Sequence, residues 1–263
     1  MRLVINKFFF LFFVFLLLKA QGQVINAIQY ELTGKFVKQV ELEKITEYLI
    51  FDSKKSFYFN SSFEENKSVL EAIKPFDSKK GNLRVINYFD SENEIYEVLK
   101  SPITGRSYVS FDNFNLQWEM IGNSYKNILG YTCKLAKTHF RGRQYFAYFT
   151  PDIPFGIGPW KLKGLPGLIL EAYDANEDYH YTVTAINLNI DGSFPEEMLD
   201  FVAKNKEQKV HYKVFINEQS VYLEKLKSKV ISNLPKGSTL KEVQNPRKEM
   251  REVMFEWEEA KIP

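Results

Sequence analysis

Cysteine is nearly absent: Cys133 is the single cysteine in 263 residues. That excludes an internal disulfide and a cysteine-rich zinc site. In Tyr131-Thr132-Cys133-Lys134-Leu135 it shares a strand face with Tyr131 and Leu135. This is the place of a small buried hydrophobe, and a reactive or partner-linking thiol is the other reading. Histidine is almost as scarce, at three. His139, His180 and His211 lie far apart and none belongs to H-E-x-x-H, so no metal is expected. His180 alternates with Thr182 and Thr184, which places it on the polar face of a strand. No G-x-S-x-G is present, which leaves a nucleophile elbow unsupported. The glycines Gly156, Gly158, Gly164 and Gly167 have the wrong spacing for G-x-G-x-x-G, and no phosphate-loop Lys-Ser/Thr follows. No cofactor is expected.

A large charge imbalance is lacking too. The formal net charge is +2, and the excess sits at the start of the chain. Arg2, Lys7 and Lys19 take three of the 35 basic residues, leaving 32 against 33 acids. Such a balance gives no electrostatic case for nucleic acid. Long apolar runs are missing after the first 22 residues, so no transmembrane segment is expected in the mature chain.

What is present begins with a leader. Arg2 and Lys7 precede an unbroken apolar run from Phe8 to Leu18, and Ala20-Gln21-Gly22 supplies small residues before a cut at Gln23. Residues 1–22 therefore read as a secretory signal peptide. Residues 23–263 suit one large domain, or one with an appendage, able to bury roughly 70–75% of its unfolded surface.

Residues 23–190 read as an antiparallel β domain. Short aromatic-rich runs recur with turn residues between them: Asn26–Leu32, Thr46–Phe51, Ser56–Asn60, Leu83–Phe89, Glu94–Leu99, Ser107–Phe111, Leu116–Met120, Tyr131–Thr138, Gln144–Thr150, Leu168–Tyr173 and Tyr179–Asn187. Arg141-Gly142 fits a hairpin turn. Gln144–Thr150 is apolar on both faces, as in a strand covered on both sides. Ser68–Ile73 fits a short helix. Residues 191–263 read as a helical C-terminal segment. Pro195-Glu196-Glu197-Met198 resembles a helix start. Val221, Leu226, Val230 and Leu234 leave an apolar stripe among lysines. Asn245-Pro246 fits an N-cap and first turn, and Met250, Val253, Met254 and Trp257 fall on one helix face. Such a helix packs on the chain's own sheet or docks a partner. The fold expected is mainly β (α+β): a curved antiparallel sheet or half-barrel with C-terminal helices packed on it.

Pro151 to Gly167 holds four of the ten prolines and four of the 13 glycines. A loop so built is stiff and specially shaped. It is either a preorganised binding rim or a crossing where only glycine fits. Its shape-setting residues are Gly158, Pro159, Gly164, Leu165, Pro166 and Gly167. Arg141, Arg143, Lys161 and Lys163, with Trp160 beside them, are candidate binding residues for a phosphate or carboxylate, or else solvated charges. Glu171 and Asp174 offer a carboxylate pair or weak cation site, and Asp174-Ala175-Asn176-Glu177-Asp178 otherwise reads as a solvated hairpin tip.

Trp118, Ile128 to Ala136, Phe140-Arg141-Gly142-Arg143, Tyr148 to Pro154, Gly158-Pro159 and Gly164 to Ile169 stand in an order that resembles the GLPGLI family, whose signature is complete here. Tyr148 departs from the tryptophan common at that place. The resemblance spans about residues 24–190. It implies an exported protein of Gram-negative bacteria, in the periplasm or at the cell surface, with no established activity and no catalytic residues to carry over. The sheet-with-helices layout is also similar to exported lipoprotein carriers. The leading expectation is a non-enzymatic envelope protein binding an apolar ligand, a peptide or an outer-membrane partner. The alternatives are an envelope hydrolase using Asp152, Glu171, Asp174 and His139, and a structural protein whose loop serves folding only.

Overall fold

The computed structural model describes residues 23–35, 44–61, 83–89, 95–105, 107–196, 199–200, 203, 209–235, 247–248 and 250–258. The leader, Ser68–Ile73 and Asn245-Pro246 lie outside the described residues. So do Glu197 and Met198, though Glu196, Leu199 and Asp200 beside them are helical.

The strands are β1 (Val24–Thr33), β2 (Ile45–Phe51), β3 (Ser56–Ser61), β4 (Leu83–Phe89), β5 (Ile95–Lys100), β6 (Ser107–Asp112), β7 (Glu119–Ile128), β8 (Tyr131–Phe140), β9 (Arg143–Thr150), β10 (Leu168–Asp174), β11 (His180–Asp191) and β12 (Val210–His211). They form one 12-stranded sheet in the order β12-β6-β5-β4-β3-β2-β1-β11-β10-β9-β8-β7. Among the described residues every pairing is antiparallel except the short parallel contact of β12 with β6. The mainly β fold expected from the aromatic runs is the fold observed. Register shifts interrupt β1 against β11, β9 against β10 and β7 against β8. Such bulges raise local twist and bend a sheet.

Alternation sorts the apolar side chains to two faces. Ile28, Leu49, Phe51 and Tyr58 join residues of β8 to β11 in the larger core. Ala27, Tyr48, Ile50, Phe57 and Phe59 point the other way, into a second core with Tyr88, Tyr96, Val109 and Phe194. Strands β2 and β3 are thus covered on both faces. Strand β9 departs from its expectation: Tyr145, Ala147 and Phe149 are buried, while Gln144, Phe146 and Tyr148 are only half-buried. Aromatic contact shields that outer face, since Phe146 stacks on Tyr173 with centroids 5.4 Å apart.

Strand β7 begins later and runs longer than Leu116–Met120. Leu116 packs into the core before pairing starts at Glu119 opposite Lys137. Strand β7 is largely exposed on both faces, and a strand so exposed shows no apolar alternation for a sequence pattern to reveal.

Helix α1 spans Tyr212–Ser232, with His211 Nδ1 accepting from the Lys213 N–H at 3.1 Å. Tyr212 and Ile216 pack inward, whereas Val221, Leu226 and Val230 of the expected stripe stay exposed.

The helix expected over Met250 to Trp257 is replaced by an irregular strap. Apart from turn bonds at its two ends, Met250 N–H to Arg247 O and Glu258 N–H to Phe255 O, its backbone bonds to the β8–β9 hairpin. The N–H groups of Val253 and Met254 donate to Arg141 O at 2.8 and 3.1 Å. Arg143 Nε donates to Met250 O at 2.7 Å, and the Tyr145 hydroxyl donates to Arg251 O at 2.9 Å. Phe255 anchors the strap, buried against Tyr212 and stacked on Trp257 with centroids 4.9 Å apart. Replacing Phe255 by Ala should lower stability by about 3 kcal/mol. Urea unfolding measures this, and a change within 0.5 kcal/mol, the usual range for surface substitutions, would show that the strap is not an integral element.

Candidate functional site

Arg141 and Gly142 form the β8–β9 turn, both with positive φ, at 45° and 83°. This matches a two-residue hairpin connection. The turn aims the Arg141 side chain inward, where it is 1% exposed. Arg141 Nη1 and Nη2 donate to Asp112 Oδ2 and Oδ1 at 2.6 and 2.9 Å, a bidentate pair. Nη1 also donates to Glu252 of the strap, and Nε bonds the half-exposed Glu256. The rings of Phe114, Phe140, Tyr212, Phe255 and Trp257 surround the guanidinium at 4.9–5.5 Å.

Lys161 enters the same centre from the Gly/Pro loop, with its side chain fully buried. Its ammonium lies 2.9 Å from Glu97 Oε2, 3.1 Å from Glu252 Oε2 and 3.4 Å from Asp112 Oδ2. It also sits 4.0 Å from the centre of the Tyr212 ring. The Tyr212 hydroxyl donates to Glu252 Oε2 at 2.8 Å. Burial alone pulls the Lys161 ammonium down, but Glu252, Glu97 and Asp112 outweigh it and hold the pKa above its ordinary value. Burial likewise opposes ionisation of Asp112, yet the Arg141 hydrogen bond and the Lys161 charge hold it below the usual carboxylate range. Glu97 differs. Burial pushes its carboxyl up to about 7, with Lys161 opposing and Glu252 and Asp112 adding to the rise.

The candidate cations therefore do not form one cluster. Arg141 and Lys161 meet, on carboxylates of this chain. Arg143 goes elsewhere, to Asp174 Oδ2 at 2.7 Å and Asp178 Oδ2 at 2.6 Å. That pairing makes Asp174 a buried residue, while Ala175, Asn176 and Glu177 form the solvated tip. Trp160 is buried with φ 55° and packs on Phe140 and Tyr145, each 5.8 Å away. Lys163 takes a third position, beside an open cleft. Sequence reading missed Asp112, Glu97 and Glu252. Their signal was weak: Glu97 sits between Tyr96 and Val98, but Asp112 has Asn113 beside Phe111 and Glu252 has Arg251 beside Val253, so only Glu97 reads as an acid in an apolar run.

The Gly/Pro loop is sewn to the sheet. The Leu168 and Ile169 N–H groups donate to Ile153 O and Ile157 O at 2.9 and 3.0 Å, and Gly164 N–H donates to Gly156 O at 2.8 Å. Ile153, Leu162 and Leu165 are buried in the larger core. Glycines allow this close passage, Gly156 against Leu165 O among them. A Cβ on Gly167 would stand 2.0 Å from Thr150 O, and one on Gly158 would stand 2.6 Å from Ile169 Cβ. Pro159 is buried, while Gly164 and Pro166 face outward.

On its outer side the loop walls a cleft of about 660 Å³. Pro154–Ile157 and Lys163-Gly164 form one wall, the β2–β3 turn Asp52–Ser56 another, and Asn113–Leu116 the third. A smaller cleft of about 300 Å³ lies over the ionic centre, lined by Glu97, Trp160, Tyr212, Arg251, Glu252 and Phe255 among others.

The four candidate acid–base residues lie apart. Glu171 is buried beneath its partners, paired with Lys126 and with His180 Nε2 at 3.0 Å. Opposite partners put Glu171 and Asp174 on opposite faces of β10, Glu171 facing with Tyr148 and Asp174 with Tyr145. His139 and Asp152 are exposed, and none of the four lines either cleft. Cys133 is buried, and burial raises its thiol to about 11. Among the described residues no helix is long and apolar enough to cross a membrane.

A family model described as "Protein of unknown function (Porph_ging)" matches residues 141–171, from the Arg141 turn to Glu171. No curated protein matches. Among solved structures the chain is similar to PNGF-II in its P21 and C2 space groups, with 19% and 18% identity and a TM-score of 0.47 for each. The similarity covers 67% of this chain but only 30% and 29% of those chains.

Two outcomes follow from this geometry. The folded-state pKa of Glu97 is raised, so its contribution to stability is full below about 4.5 and falls as pH rises to about 7. Urea midpoints should decline across that window in the native chain and decline less in Glu97→Gln. Equal slopes in both would contradict the assignment. Gly164→Ala should cost about 1 kcal/mol, since only φ opposes it. Gly167→Ala should cost upwards of ~3 kcal/mol because backbone must move. Similar costs for the two would remove the close-packing argument.

Proposed function

We propose that the chain is an exported, GLPGLI-type protein of the cell envelope that binds an apolar ligand in the cleft beside its Gly/Pro loop. The cleft carries this reading. At about 660 Å³ it has the size of a small-molecule site. Its walls are fixed by a loop whose backbone is bonded to the sheet at Leu168 and Ile169. Phe114, Leu116, Phe155 and Ile157 line it with apolar surface. The leader pattern, Arg2 and Lys7 before Phe8 to Leu18 and Ala20-Gln21-Gly22, supports export. The hydrolase reading has less support, because Asp152, Glu171, Asp174 and His139 share no cleft and acid–base partners must reach one substrate.

Protein isolated from its native envelope should carry extractable apolar material, identified by mass spectrometry. Ile157→Glu, which places a charge in the cleft wall, should reduce the recovered amount at least tenfold while the chain stays folded. Repeated preparations without such material, or equal recovery from the variant, would overturn the reading.

A further inference from the structure

The lining of this cleft mixes the apolar side chains of Phe114, Leu116, Phe155 and Ile157 with polar ones that an all-apolar ligand would leave unused. Ser56 opens β3 directly opposite Phe51 of β2, so the two side chains share a sheet face. Phe51 on that face packs edge-on against Phe155 of the loop, with centroids 4.9 Å apart. Ser56 is 4% exposed, lines the cleft, and its hydroxyl has no hydrogen-bond partner. A buried hydroxyl left unbonded costs about 1–3 kcal/mol. A group arriving from the cleft is the natural way to satisfy it.

The charges around it have one sign in excess. Lys54 and Lys55 precede Ser56 in the turn, and Lys163 lies on the facing wall with its ammonium 5.7 Å from the Phe114 ring centre. Asp52 is the acid lining the cleft, and its Oδ1 accepts from the N–H groups of Lys54 and Lys55 at 2.6 and 2.7 Å. Among the described lining residues, three lysines against one aspartate leave this end of the cleft cationic, beside the apolar side chains of Phe114, Phe155 and Ile157.

We propose that the cleft binds a long-chain carboxylate, its head group at Ser56, Lys54 and Lys55 and its chain along Phe155, Ile157 and Phe114. This rests on reading the cleft as a binding site and adds the chemistry of its ligand. A carboxylate brings two acceptor oxygens, one for the Ser56 hydroxyl and one for an ammonium. A phosphate would bring a further charged oxygen beside the one buried hydroxyl of Ser56, and a neutral head group would leave Lys54 and Lys55 without a counter-charge.

The test is calorimetric titration of the full chain with decanoate, decanol, decyl phosphate and decyltrimethylammonium. Decanoate should bind at least tenfold more tightly than the other three, about 1.4 kcal/mol. Ser56→Ala, and separately the pair Lys54→Gln with Lys55→Gln, should weaken decanoate at least threefold and leave decanol unchanged. Ser56→Ala should also leave the urea midpoint of the free protein unchanged or raise it, which separates loss of a ligand contact from loss of folding. Decanol binding as tightly as decanoate would overturn the carboxylate assignment but leave the cleft as an apolar site. A preference for decyl phosphate, or variants with native decanoate affinity, would overturn it as well. If none of the four binds and envelope-purified protein also carries nothing apolar, both readings fall.

Discussion

The buried ion set of Arg141, Lys161, Asp112 and Glu252 is the constraint on which the rest of the structure depends. Removing charges from water is expensive, and the penalty is met only where partners are close and well oriented. Here the partners come from the β8–β9 turn, the Gly/Pro loop, the end of β6 and the C-terminal strap. None of these segments can shift without stranding a charge in a low-dielectric interior. The set is therefore less a source of net stability than a lock on relative position.

The loop takes its shape from that lock. Lys161 must reach the centre, which draws the loop across the sheet. Its backbone then passes Thr150 and Ile169 too closely for a side chain at Gly167 or Gly158. Trp160 is driven to a positive φ and is held there by Phe140 and Tyr145. Backbone strain of this kind persists where the surroundings over-determine it.

Much of the sheet was legible in the sequence, because strands buried on one face alternate and those buried on both read as continuous apolar runs. Ser56–Asn60, Leu83–Phe89 and Tyr131–Thr138 were found in this way. The strap was not. Met250, Val253, Met254 and Trp257 satisfy helical spacing, yet Arg143 and Tyr145 claim the strap's carbonyls and Arg141 O its N–H groups. Spacing within a segment cannot report competition from a distant one. The ionic centre was hidden for the same reason: Arg141 lies 29 residues from Asp112 and 111 from Glu252. The four basic residues around the loop were visible, but their division among three places depends on acids far away in the chain.

The same logic separates frame from site within the loop. The signature residues Gly158, Leu165 and Gly167 are turned into the fold, where they touch Ile169, the larger core and Thr150. Of the side chains that wall the cleft, Phe155 and Ile157 lie just before them and Lys163 among them. A motif of this kind holds its neighbours in place and leaves their chemistry free to vary. Two chains with the same signature can then share a frame while their clefts differ in charge and shape. In this chain the cleft mixes apolar surface with an excess of lysines, and it is residues outside the signature, from Lys54 to Ser56 and at Lys163, that set that character.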